Sequence, residues 1–433
     1  MTYALDARVR EYVVAAGAKE KTQDSAIAAV NTAITSVDGI VLGSPSIVTQ
    51  SDQVLTVGPG GQFATLNAAL YTASKVARAA MGRRLDIRLL PGFVMEEQVY
   101  IECIDLAWVR IVSDDAVVPI RRSALTTTRY ADYPAFCGAY GAKFPRISAL
   151  FEMDDSGAGI GRTGFLIADA SSIYLDPGAG ALNCPMRGLH VANSSYAVAR
   201  GTIFRNCGHE PRYAGGGAAM RNGQAEVEIR QADLRNSAIG LMVAGGGNTD
   251  AEDTDVSGCF LGIENYESRV RFGMGKAIGC VSALKSYRGG VTHARSADFS
   301  GATGDRAIDL AHGSRMDANA INVSGAAGFA LYSSASFFTS YAPNFAGAGQ
   351  DAASVYGGQV DIRAADLKNA FRYGMSAYEG AIVNVQSANA TGAGTHGFYW
   401  QDGSTVNANF ATGTFARTLN TVSRHGIAYG PSA

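Results

Sequence analysis

Asp233-Leu234-Arg235-Asn236, Asp255-Val256-Ser257-Gly258 and Asp298-Phe299-Ser300-Gly301 are one short phrase written three times. Each gives an Asp, an apolar residue, a variable residue and then Asn or Gly. The phrase continues as Asn322-Val323, Asn344-Phe345, Asp366-Leu367, Asn389-Ala390 and Asn409-Phe410. With Ile278 as a degenerate member, the apolar anchors fall at 234, 256, 278, 299, 323, 345, 367, 390 and 410. The step between successive anchors stays close to a constant of roughly 22 residues. A fold with mixed contacts has no need of such a period. A solenoid does, because each unit must land on the one before it.

Between anchors the residues are small, β-branched or aromatic, in short runs broken by Gly, Ser and Asn. The run Gly358 to Leu367 alternates inward and outward as a strand does. Short strands and tight turns at this period predict a parallel β-helix, each coil adding about 4.8 Å along the axis. Stacked Asp or Asn at one corner would accept hydrogen bonds from turn amides. Asp233, Asp255, Asp298 and Asp366 are therefore read as structural.

Upstream, Arg84 to Leu90 and Glu97 to Ile101 alternate like first coils, separated by Pro91-Gly92. A helix is expected from Thr65 to about Met81, covering the open end of the first coil. Apolar residues at Leu5, Val9, Tyr12, Val13, Ile27, Val30, Ile34 and Val37 recur at spacings of three and four. They predict a helical arm over residues 1–38, for attachment to a larger particle or for self-association. Residues 39–118 hold the first strand, the capping helix and the first coils. Residues 119–186 read as an aromatic, basic insertion, with Tyr130, Tyr133, Phe136, Tyr140 and Phe144 among Arg121, Arg122, Arg129 and Arg146. It could serve ligand contacts or act as a packing flap. Residues 187–433 form the β-helix proper.

Composition agrees with an elongated β-protein: 433 residues, 47% hydrophobic, 17% charged and 52 glycines. A net charge of −2 with mixed signs gives no footprint for nucleic acid. No apolar run approaches the ~20 residues needed to cross a bilayer. Met1 to Asp6 opens without a basic segment and apolar core, so synthesis in the cytoplasm is expected. The six cysteines lack CxxC or zinc spacing, so neither a metal nor a cofactor is expected. Cys259 and Cys280, one repeat apart, read as small buried residues with free thiols.

The stretch Thr56 to Leu70, with Gly58-Pro59-Gly60-Gly61-Gln62-Phe63, followed by Leu89-Leu90-Pro91-Gly92-Phe93-Val94, resembles the opening of a pectin-lyase-like right-handed parallel β-helix. Pectin-modifying enzymes and phage tailspikes share that opening. The Ser/Ala-x-Asp/Asn-apolar-x-Gly coils are most similar to the phage-derived branch, including spikes of virions and of gene transfer agents. The resemblance covers roughly residues 54 to 433. It implies an all-β chain, a homotrimer displayed on a virion or phage-like particle, and contact with bacterial surface polysaccharide. A capsid, tail or adaptor protein would then be the partner of residues 1–38. Activity is not implied, since the fold hosts lyases, hydrolases, esterases and plain binders.

About twelve residues before successive anchors stand Tyr266, Tyr287, His312, Tyr332, Tyr356, Tyr378 and the pair Tyr399-Trp400. Seven coils span six gaps, about 29 Å at the strand spacing. Tyr and Trp suit the apolar faces and hydroxyl edges of sugar rings, so this stripe is a candidate polysaccharide site. A structural aromatic stack gives the same pattern. Glycoside hydrolysis needs two carboxyl groups, about 5 Å apart for retention and about 6.5–9.5 Å for inversion. Glu228 and Asp250 lie one repeat apart and are expected on adjacent rungs, with Glu252 and Asp253 nearby. A solvated acidic loop is the competing reading. No lyase calcium cluster or catalytic triad is legible. The sequence thus favours a receptor-binding spike, with a polysaccharide depolymerase, hydrolase or lyase, as the alternative. A secreted plant-polysaccharide enzyme is disfavoured by the lack of an export signal.

Overall fold

The computed structural model describes residues 40–43, 46–49, 52–78, 84–126, 133–156, 162–209, 217–416 and 427–429. The helical arm expected over 1–38 lies outside them.

The described residues form a parallel β-solenoid of about 13 turns. A coil of the regular region has three parts. A long strand such as Leu261–Tyr266 is followed by a turn and a short strand such as Arg269–Arg271. A second turn then leads to a single bridging residue. Each part pairs in parallel with its counterpart on the next coil. Leu261–Tyr266 aligns with Ser282–Tyr287, and Arg269–Arg271 with Val291–His293.

The bridging residues are the recurrent Asp and Asn: Asp233, Asp255, Lys276, Asp298, Asn322, Asn344, Asp366, Asn389 and Thr412 pair in sequence. Each acidic or amide side chain accepts from the amide two residues on, as Ser257 N to Asp255 Oδ1 (2.9 Å) and Ser300 N to Asp298 Oδ1 (3.0 Å). Amides also link rungs: Asn322 Nδ2 donates to Asp298, and Asn344 Nδ2 to Asn322, both at 3.1 Å. The residue after the turn amide explains the final Asn or Gly of the phrase. Asn236, Gly258, Gly301 and Asn369 have φ of 56°, 69°, 67° and 56°, a left-handed region that these residues tolerate. Lys276 breaks the pattern without loss, because Ser257 Oγ of the preceding rung accepts from Ile278 N at 3.1 Å.

The anchors Leu234, Val256, Phe299, Val323, Phe345, Leu367 and Ala390 are all buried in the core. Two of the expected anchors sit out of register. Lys276 bridges, so Ala277 is the buried residue and Ile278 is exposed. At the last coil Thr412 bridges, and Phe410 sits in a left-handed turn at 77% exposure. Strand alternation is unforgiving here: a one-residue slip exchanges core for solvent.

The first helix is shorter than expected, Leu66–Ser74, capped by Thr65 Oγ1 accepting from Ala68 N (3.2 Å). Glu97 supplies a second cap, accepting from Leu66 N at 2.5 Å and Asn67 N at 3.3 Å. The chain then turns to strand at Val76–Arg78, which pairs with Ile47–Thr49. β-Branched Val76 begins an added strand where the sequence pattern suggested more helix.

Within the stretch 119–186 read as an insertion, the strands Pro134–Ala139 and Thr163–Ile167 lie in register with the coils. Phe136 pairs with Phe165, and Phe165 with Leu189, in the long-strand sheet. Phe136 and Phe144 are buried rather than presented to ligand, and Phe136 stacks on Phe165 with centroids 4.8 Å apart. Coil length hides this in the sequence, because the steps from Phe136 to Phe165 and from Leu189 to Met220 are longer than the later repeat. Tyr130 and Arg129 lie outside the described residues. Five of the cysteines are buried and Cys103 is exposed, all with free thiols. Among the described residues no helix is long and apolar enough to cross a membrane.

Candidate functional site

Two outward faces carry the residues of interest. On the long-strand face, register sorts the predicted stripe into two rows. Tyr266 pairs with Tyr287, and Tyr356 with Tyr378; Tyr266, Tyr287 and Tyr378 end their strands, while Tyr356 lies within Ala353–Arg363. Tyr332 and Tyr399 stand two residues earlier, in a row completed by Ser354 and Ser376. Two members leave the stripe. Trp400 pairs with Ala377, faces the core and is 6% exposed, because it alternates with outward Tyr399. His312 lies beyond its strand, in a left-handed turn with φ 54°, and Ala311 ends the strand in its place. The stripe is accordingly broken at the rung of Arg306–Ala311.

Beyond that break the rings form a continuous layer. Tyr332 contacts Tyr356 (centroids 5.3 Å), which stacks on Tyr378 (4.7 Å, 17° between planes). Tyr378 meets Tyr399 at 5.8 Å. A third row, three residues before the Tyr332 row, adds Phe329, Tyr373 and His396. Tyr373 stacks on Tyr399 at 4.8 Å and on His396 at 6.1 Å, and Phe329 meets Tyr332 at 5.8 Å. The buried serines 354 and 376 are small enough for the flanking rings to close over them. From Tyr332 to Tyr399 the layer spans three gaps, about 14 Å at the strand spacing.

Guanidiniums pin this layer. Arg306 lies over Tyr332 at 3.6 Å, and Arg372 over Tyr373 at 5.1 Å. Arg372 is held by buried Asp351 (Nε to Oδ1 2.7 Å, Nη2 to Oδ2 2.9 Å), which also accepts from Ser376 Oγ at 2.6 Å. Burial pushes the Tyr378 phenol up to about 12 and raises Tyr332 and Tyr373 as well. These rings therefore keep O–H donors throughout the neutral range. Tyr266 and Tyr287 differ, since their hydroxyls engage Arg288 and Glu264 respectively, the latter at 2.6 Å. Sequence reading missed Phe329, Tyr373, His396, Arg306 and Arg372. The available signal was the place of the rings three residues before the Tyr332 row, on the same side of the long strand.

The acidic candidates lie on the short-strand face. Glu228 and Asp250 are directly paired on adjacent rungs, as expected from their spacing. Arginines interleave them. Arg230 reaches Glu228 (3.4 Å), Asp250 (2.6 Å) and Glu252 (3.5 Å), while Arg200 binds Glu228 at 2.6 Å. Arg271 reaches Glu252 at 3.0 Å and Asp250 at 3.7 Å. Asp253 stands apart in the exposed left-handed turn, its amide donating to Gly273 O at 2.9 Å. A shallow recess of about 210 Å³ is lined by Tyr196, Glu226, Glu228, Asn248, Asp250 and Arg271. Among the described residues no three ligating side chains converge as a metal site.

The class these observations define is a parallel β-solenoid with an aromatic outer face. The chain is similar to the catalytic unit of a thermostable GH87 α-1,3-glucanase from Streptomyces thermodiastaticus strain HF3-3. The identity is 11%, over 90% of this chain and 73% of that one, with a TM-score of 0.44. No family model and no curated protein matches the sequence.

Proposed function

We propose that this chain is a polysaccharide-binding spike that attaches a phage or phage-like particle to a bacterial surface glycan. The observation that carries the binding part is the partly exposed layer of Tyr332, Tyr356, Tyr378, Tyr373 and Tyr399, with Arg306 and Arg372 at its border. Flat rings offer apolar area to pyranose faces, and their protonated hydroxyls offer hydrogen bonds to sugar oxygens. Stacked rungs repeat that offer along the axis, which suits a polymer better than a small ligand. The layer has room for about three sugar units at the strand spacing. Particle display, a homotrimer and an adaptor on residues 1–38 rest on the resemblance of residues 54 to 433 and on the amphipathic pattern of the arm.

The test is size-exclusion chromatography of bacterial capsule or lipopolysaccharide incubated with the protein. Co-elution with a glycan of unchanged length is the expected result; absence of co-elution with any surface glycan rejects the reading. A shortened glycan would turn the assignment to the second reading, a depolymerase. The direct pairing of Glu228 with Asp250 favours that reading, because two carboxylates on adjacent rungs are what hydrolysis needs. Their shared arginines count against it, since both carboxylates are already engaged by guanidiniums of the protein. Light scattering checks the trimer.

A further inference from the structure

Three recesses adjoin on the short-strand face, and they share walls. Asn248 lines the first and third, Arg271 the first and second, and Arg269 the second and third. Together they make one trough whose charge changes sign along its length. Glu226, Glu228 and Asp250 line one end. Arg269, Arg271, His293 and Arg295 line the other, in a recess of about 350 Å³ whose only carboxylate is Glu252.

Gly273 makes this basic recess. It sits between Glu252 and Arg295 on successive rungs, joined through Asp253 N to Gly273 O and Met274 N to Arg295 O. A Cβ there would meet nothing closer than Arg295 O at 3.6 Å and Glu252 Cγ at 3.7 Å. Its φ is outside the left-handed region, so the backbone does not require glycine. The missing side chain leaves open space between guanidiniums. Arg271 is held as a wall by Glu252 at 3.0 Å. Among the described residues, Arg269 and Arg295 have no carboxylate within ion-pair distance, unlike Arg200, Arg230 and Arg271 of the same face.

We infer that this recess binds the anionic group of an acidic sugar, with Arg269 and Arg295 as the clamp. The inference rests on the polysaccharide reading but uses a different face from the aromatic layer. Guanidiniums match carboxylate geometry and gain from charge-assisted hydrogen bonds. The acidic end of the trough selects the class of polymer. A nucleic acid carries a phosphate at every unit and would meet there the exposed Glu226, whose charge no guanidinium among the described residues offsets, with like charge. A glycan with one acidic sugar among neutral ones sets its charge at the basic end. Its neutral hydroxyls then donate to the carboxylates at the other.

The test is affinity electrophoresis with polygalacturonate, alginate and hyaluronate, each beside its carboxyl-reduced counterpart. The proteins compared are the wild-type chain, the pair Arg269→Gln with Arg295→Gln, Gly273→Leu, and Lys276→Gln as a nearby charge control. At least one acidic polymer should bind, its reduced form about tenfold more weakly, as loss of a charge-assisted contact predicts. The arginine pair and Gly273→Leu should lose the same factor, with Lys276→Gln unchanged. Unaltered melting temperatures would show that Gly273→Leu acts by filling the recess. Failure of every acidic polymer to bind better than its reduced form overturns the inference, as does undiminished binding by the arginine pair. Inorganic phosphate binding as tightly as the polymer would assign a free-anion site, and a tighter single-stranded DNA would assign a nucleic-acid site; either overturns it. Failure of the aromatic reading shows separately, as unchanged neutral-glycan binding by Tyr356→Ala with Tyr378→Ala.

Discussion

On the short-strand face between Val198 and Arg271, carboxylates and guanidiniums answer one another. On the long-strand face between Arg306 and Trp400, aromatic rings answer only in part. Glu228 and Asp250 are held by Arg200, Arg230 and Arg271, so their charges are largely spent within the protein. Tyr356 and Tyr378 are stacked on each other and flanked by Tyr332 and Tyr399, yet both stay partly exposed, so a part of each ring is left for a ligand. The same device, identical or complementary side chains on successive rungs, produces both. What differs is whether the rung below completes the group or merely supports it.

The sharpest way to break this contrast is at Asp351, the buried charge beneath the aromatic layer. Asp351→Ala should cost about 2–3 kcal/mol in urea unfolding, because it leaves Arg372 without its partner in the aromatic layer. That is below the usual cost of breaking a buried pair, since the Arg372 side chain is 42% exposed and keeps some water. An unchanged midpoint would mean that the layer does not depend on this pin. Next in size, Tyr356→Ala and Tyr378→Ala should each weaken glycan binding by about 1 kcal/mol, the worth of a stacked ring. Titration calorimetry beside thermal melting separates loss of contact from loss of fold; a collapse in stability with no intrinsic affinity change would make the layer structural.

Glu228→Gln and Asp250→Asn should each change stability by no more than about 1 kcal/mol, as partly exposed ion pairs do. Retained cleavage in both, should any cleavage exist, removes this pair from the catalytic reading. The bridging corner gives the smallest effects. Burial alone would raise the Asp233 carboxyl, but the Arg235 guanidinium and amide, with Arg205, hold it below the usual range. Its contribution is therefore present above the unfolded value near ~3.9 and lost as pH falls through the lower folded value. Asp233→Asn should flatten that part of an acid-unfolding curve while keeping the turn. Lys276→Asn should shift stability by less than about 0.5 kcal/mol, because Ser257 already satisfies the amide that Asn would cap.

The bridging corner was legible because its chemistry is local. An Asp or Asn that caps the amide two residues on, followed by Gly or Asn in a left-handed turn, leaves a mark wherever it occurs. The longer coil from Phe136 to Phe165 was read as an insertion, because it builds its core from phenylalanines without that corner phrase, whereas the one from Leu189 to Met220 was placed in the β-helix although it departs from the period. The functional faces were half legible. Spacing found Tyr356 and Tyr378, but could not separate Tyr399 from Trp400, where one residue decides between solvent and core.

The sequence by itself determined that this chain is a solenoid of short, regular coils, because turn capping and core anchoring act within a few residues and must repeat. Only the tertiary structure decided which rings share a row, that Glu228 and Asp250 are interleaved with arginines, and that Gly273 opens a space beside Arg269 and Arg295. Those are contacts between coils. They depend on register across neighbouring rungs, which a single-residue shift reverses and a local pattern does not record.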